Sequence, residues 1–188
     1  MRIERASSKA IKYACENFHY AKKTPSVTIA HAVFEEEQWC GVICYGGGAS
    51  AKMGQSINLK AGQFVELVRV ALNGNQKYTS QCLAASLKRL KKEAPLVKLV
   101  VSYADKGQSH RGTIYQATNW KLIEDIDSSG VEYLYKGQWM HDRGRYNWSV
   151  DFRTLPKRKK AGKYKYVYFF DKRLEKQYTF LPYPKPEQ

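Results

Sequence analysis

The sequence predicts an α/β protein, an open mixed sheet with helices on its faces, and three observations carry that prediction. Phe64–Leu72 and Leu96–Tyr103 are short runs apolar on both faces, the pattern of central strands rather than surface ones. Segments of helical period stand between the strands, with Leu83, Leu87 and Leu90 as the clearest stripe. Gly and Pro punctuate the junctions, Pro25, Gly46 and Pro95 among them.

Taken in order, Ser7-Ser8 caps a first helix whose Ile11, Ala14, Cys15 and Phe18 recur at helical spacing. Val27–Glu35 and Gly41–Tyr45 read as strands joined at Glu36-Glu37-Gln38, and Gly46-Gly47-Gly48 ends the second, as a flexible loop or an anion cradle. In Phe64–Leu72, strict alternation places Glu66 and Arg69 on opposite faces, and a buried charge there needs a partner or a ligand. A loop, Asn73–Thr79, leads into a helix over Ser80–Glu93 that Pro95 ends. Leu96–Tyr103 is the next strand and Gln108–Asn119 the next helix. Lys121–Ile126 and Val131–Trp139 then form a hairpin around Ser128-Ser129-Gly130. Residues 1–142 are expected to form the catalytic domain, and 143–188 a basic, aromatic extension packed on it. In that extension Tyr164, Tyr166 and Tyr168 share one strand face, either packed on the core or stacking bases.

Charge narrows the partners. The 188 residues carry 32 Lys and Arg against 17 Asp and Glu, a formal net of +15. Between Arg143 and Lys176 the tally is 12 against 3, so much of the excess lies in one segment. Arg143, Arg145, Lys157, Arg158, Lys159, Lys160 and Lys163 are therefore the candidate contacts to a nucleic acid, giving salt-dependent affinity rather than sequence choice. Cys15, Cys40, Cys44 and Cys82 form no CxxC pair and no signal peptide precedes them, so a cytoplasmic protein with reduced thiols is expected. No apolar run reaches 18 residues, so no membrane span is expected. Of the four histidines none has metal-ligand spacing. His31, on a strand near the sheet's mouth, is the one candidate to join Asp105 around a metal such as iron.

Ser102-Tyr103-Ala104-Asp105 ends an apolar strand in an acid, and Arg111-Gly112-Thr113-Ile114-Tyr115 sets a tyrosine on the following helix. Open α/β sheets bind ligands beyond the carboxyl ends of their strands, which makes Asp105 and Tyr115 candidate site residues. The competing readings are a helix cap for Asp105 and a core role for Tyr115.

The segment order from Ala30 to Trp139 resembles the GNAT acyltransferase fold. That likeness implies an acyl-donor site at Gln76, Lys77, Thr79 and Ser80, and a tyrosine acid at Tyr115. Coenzyme A in its usual pose is put in question, because Gln76–Cys82 lacks the glycine that lets backbone approach a pyrophosphate. Phe64–Val70, Tyr103-Ala104-Asp105, Arg111–Trp120 and Leu181-Pro182-Tyr183-Pro184-Lys185 together resemble the Mom family of bacteriophage DNA-modification proteins. The resemblance implies transfer of a carbamoylmethyl (acetamido) group to the exocyclic N6 amine of adenine in double-stranded phage DNA, as protection from host restriction. It implies catalytic roles for Arg69, Asp105 and Tyr115, with Ser80 and Ser86 as weaker catalytic candidates on the neighbouring helix. The alternatives are a coenzyme A-dependent N-acetyltransferase acting on protein or RNA, and a DNA-binding protein without catalysis.

Overall fold

The computed structural model describes residues 1–47 and 58–185. They form one eight-stranded sheet from β1 (Arg2–Arg5), β2 (Ile29–Glu35), β3 (Gln38–Gly46), β4 (Phe64–Leu72), β5 (Leu99–Asp105), β6 (Lys121–Tyr135), β7 (Gln138–His141) and β8 (Lys157–Phe169). The spatial order is β1-β2-β3-β4-β5-β8-β6-β7. Every neighbouring pair is antiparallel except β4 and β5. The expected α/β mixed sheet with flanking helices is what forms. Lys157–Phe169, from the segment expected as an extension, is an interior strand between β5 and β6.

Among the described residues three helices cover the faces. α1 (Ser8–Asn17) starts at Ser7, whose side chain accepts the Ala10 N–H, and it buries Ala14 and Cys15 against Val42, Cys44 and Ala71. α2 (Thr79–Glu93) lays Cys82, Leu83, Leu87 and Leu90 on the opposite face with Val65, Leu67 and Val100. Each of those leucines contributes about 2 kcal/mol on leaving water. α3 (Thr113–Gln116) is a single turn on that same side, with Tyr115 in the core.

Three sequence expectations give way. The helix expected over Gln108–Asn119 is a 3-10 turn, Lys106–Gln108, and then α3. Ser109 and Gly112 both take positive φ (54° and 77°) and break the run. The hairpin expected around Ser128–Gly130 is instead a bulge inside the long β6. The turn lies at Lys136-Gly137, where two positive φ values suit a two-residue connection between twisted strands. Finally, Glu66 and Arg69 do not sit on opposite faces. Tyr45 pairs with Leu67 but Cys44 with Arg69, so β4 carries an extra residue at Val68. That bulge turns Arg69 onto the α1 side, the side of Cys44 and of Glu66.

Candidate active site at the splayed strands

β4 and β5 pair only from Phe64↔Leu99 to Glu66↔Val101, although β4 continues to Leu72 and β5 to Asp105. Beyond Glu66 the two strands diverge. A cavity of about 290 Å³ fills the gap, lined by Glu66–Val70 of β4 and by Ser102, Tyr103 and Asp105 of β5. Tyr115, Thr79, Lys163, His19, Tyr20 and His110 also contribute to its wall. Arg69, Asp105 and Tyr115 thus all line this one cavity.

The two faces of the sheet contribute different chemistry. Along β5, Val100 and Ala104 face α2 and α3, while Leu99 and Val101 face the α1 side. Ser102 therefore points with Tyr115 toward the helices, and Tyr103 and Asp105 point the other way. Ser102 Oγ lies 2.9 Å from both the Leu67 carbonyl oxygen and the Tyr115 hydroxyl. Ser102 has one proton and the carbonyl can only accept, so the phenol donates to Ser102. Burial pushes the Tyr115 phenol up to about 12. Tyr115 is thus protonated at neutral pH, a proton donor rather than a base. Gly112 sets its position: a Cβ there would meet the Tyr166 ring at 2.4 Å, so only glycine lets α3 close on β8.

Asp105 does cap, accepting the Gly107 N–H at 2.9 Å through Oδ1. It also lines the cavity, and Tyr20 packs near enough for the Asp105 charge to add to burial in raising the Tyr20 phenol. Arg69 donates from Nη1 to the Val68 carbonyl at 2.7 Å. Its Nε is buried without a partner, and among the described residues no carboxylate pairs with it. A guanidinium that lines a cavity with no carboxylate paired to it has the chemistry to hold an anion. Sequence reasoning missed His19, Tyr20 and His110. Burial, then the positive charge of Arg69, holds His19 down at about 4, so its imidazole is neutral. Its Nδ1 accepts the Ala21 N–H at 3.1 Å, which leaves the proton on Nε2. The only sequence signal was Phe18-His19-Tyr20 at the end of a helix, too common a pattern to decide anything.

Other candidates fall elsewhere. Ser80 does not join the cavity. Successive helical residues point about 100° apart, so Thr79 faces the cavity while Ser80 faces a separate groove of about 240 Å³ beside Ala117 and Asn119. Gln76 donates to Thr79 Oγ1 at 2.9 Å and accepts the Gly74 N–H, so those two side chains are occupied locally, while Lys77 is exposed. Ser86 is fully buried, hydrogen-bonded to Tyr45 and His31 away from the cavity. His31 does not reach Asp105. It is sealed between Ser86 at 2.8 Å and Glu93 at 3.1 Å, because its strand position faces α2. Among the described residues no group of three His, Cys, Asp or Glu side chains is placed to hold a metal. Lys163 lines the cavity, whereas Arg158 and Lys160 pair with Glu132. Arg145 stacks on Tyr146 and Phe152. The Arg143 side chain and Gly48 lie outside the described residues. All four cysteines are buried and free, and no described helix is long and apolar enough to cross a membrane.

Comparison with solved structures places the fold among acetyltransferases. NAA60 of Arabidopsis thaliana in complex with acetyl-CoA superposes with a TM-score of 0.54 at 10% identity, over 90% of this chain and 98% of that one. Ribosomal-protein-alanine N-acetyltransferase of Brucella melitensis gives 0.54 at 11%, over 90% and 100%. A probable GNAT-family acetyltransferase of Chromobacterium violaceum gives 0.52 at 8%, over 89% and 81%. The fold is GNAT-like. In sequence, the methylcarbamoylase mom of Escherichia phage Mu is 26% identical over 206 residues, covering 98% of this chain and 84% of that protein. The model of the Mom protein family matches residues 1–186, and this chain therefore belongs to that family.

Proposed function

We propose that this protein transfers a carbamoylmethyl (acetamido) group to the exocyclic N6 amine of adenine in double-stranded phage DNA, shielding that DNA from host restriction. Membership of the Mom family and the methylcarbamoylase relative support the transferred group. The observation that carries the site is the single cavity where an acid, a protonated phenol and an unpaired guanidinium converge.

The adenine amine is a poor nucleophile, because its lone pair is delocalised into the ring. Asp105, on the α1 side, accepts a hydrogen bond from the amine and takes its proton as the new C–N bond forms. The bond from the transferred carbon to its leaving group breaks with its electron pair, and Tyr115, on the helix side, supplies the proton to that group. Arg69 neutralises anionic charge on the donor or on the flanking phosphate. Donor and acceptor thus approach from opposite faces of the sheet. Lys77 and the first turn of α2 beside Thr79 and Ser80 would hold an anionic donor. The glycine-free loop argues against the pyrophosphate cradle of coenzyme A in its usual form. An amine paired inside a duplex cannot reach Asp105, so the base is flipped out, at a cost of a few kcal/mol that phosphate contacts offset.

Nucleoside mass spectrometry on DNA from cells expressing the chain tests this reading. A new adenine species is expected with the unaltered chain and not with Asp105→Asn. Unmodified adenine in both samples refutes it.

A further inference from the structure

The basic run Lys157-Arg158-Lys159-Lys160 looks like one patch in sequence, but the strand divides it in two. β8 is regular throughout; the register shifts against β6 both come from extra residues in β6. Its side chains therefore alternate strictly from Lys157 to Phe169. Arg158 and Lys160 fall on the helix-side face, opposite Glu132, and both pair with it, at 3.0 and 3.8 Å. Arg158 is held further by the Trp139 ring beneath its guanidinium, 4.3 Å to the centroid. These two cations are already neutralised or packed.

Lys157, Lys159 and Lys163 fall on the other face. Lys163 is the register partner of Asp105 and lines the cavity. Lys157 and Lys159 are exposed and make no ion pair among the described residues. Their cross-strand neighbours on that face are Tyr133 and Val131, so no acid opposes them. From Lys163 to Lys157 is six residues, about 20 Å at the strand rise, or roughly six base pairs of B-form duplex.

Resting on the reading of this protein as one that acts on duplex DNA, we propose that the duplex lies along the α1-side face of β8. Lys157 and Lys159 clamp its phosphates and Lys163 marks where it meets the cavity. The α1 side is also where Asp105 and Arg69 point, so the rail delivers DNA to the acceptor side of the site and leaves the helix side for the donor. Arg158 and Lys160 fasten the sheet and touch no phosphate.

The test compares two double variants that remove the same net charge from opposite faces, Lys157→Gln/Lys159→Gln and Arg158→Gln/Lys160→Gln. Binding of a fluorescent 20-base-pair duplex is measured by anisotropy from low to moderate salt, and melting temperatures check that each variant folds. The first variant is expected to bind roughly tenfold or more weakly at 0.1 M salt, with a log–log salt slope shallower by about 2. The second is expected to bind within about threefold of the unaltered protein with its slope preserved. Equal weakening in both variants overturns the rail, since bulk charge alone would then explain binding. Loss of RNA binding with duplex binding intact assigns the face to another partner and also overturns it. If the unaltered protein binds no duplex at all, the proposed function falls first, and the rail with it.

Discussion

Replacing Arg69 with methionine separates a residue kept for function from one kept for the fold. Arg69 Nε is buried and unpartnered, and an orphaned buried donor costs about 1–3 kcal/mol. Methionine keeps the unbranched stem and removes both the orphan and the charge, while giving up the Nη1 bond to Val68, worth about 1 kcal/mol. The balance is a gain on the order of 1 kcal/mol, or about 2–4 °C in melting temperature for a domain of this size. Transfer to DNA should fall by about two orders of magnitude, the usual effect of losing a charge-stabilising donor. Thermal melts with and without added phosphate, beside nucleoside mass spectrometry, read both quantities. Phosphate should raise the melting temperature of the unaltered protein and leave Arg69→Met unmoved. A variant that melts several degrees lower yet still modifies DNA would refute the reasoning and make Arg69 a structural cation.

Tyr115→Phe removes the proton donor and leaves Ser102 without the phenol. Activity should drop by about 10²–10⁴-fold with a stability loss near 1 kcal/mol, and activity within threefold of normal would exclude Tyr115 as the acid. Gly112→Ala must adopt φ near +77° and drive its methyl into the Tyr166 ring. A loss of about 2–4 kcal/mol in chemical denaturation is expected, and an unchanged midpoint would show that α3 yields freely. His19 titrates near 6.5 when unfolded and about 4 when folded, so its contribution is complete above pH 6.5 and is lost as pH falls toward 4. After discounting for partial exposure the loss is about 1–2 kcal/mol. His19→Gln should flatten that part of the stability–pH curve, and a curve identical to the unaltered protein's would reject the assignment.

The sequence by itself determined the α/β class, the central strands, the capped first helix, and the acid and tyrosine that end in one cavity. Each of these follows from local signals: apolar runs, helical period, a serine cap, and the rule that ligands bind at strand ends. Ser80 and His31 were misplaced because type and rough position do not fix direction. One helical step separates Thr79 in the cavity from Ser80 outside it, and a buried strand position points His31 at α2. Tertiary structure alone decided three things. The extra residue at Val68 turned Arg69 onto the face of Asp105, and a bulge is set by strand pairing that no local pattern records. The insertion of β8 between β5 and β6 put Lys163 beside Asp105, a contact between residues 58 positions apart. The pairing of β8 with β6 set Glu132 against Arg158 and Lys160 while Lys157 and Lys159 stayed open. Charge composition is a sum over the chain, but which charges remain unpaired depends on which side of a strand each one leaves.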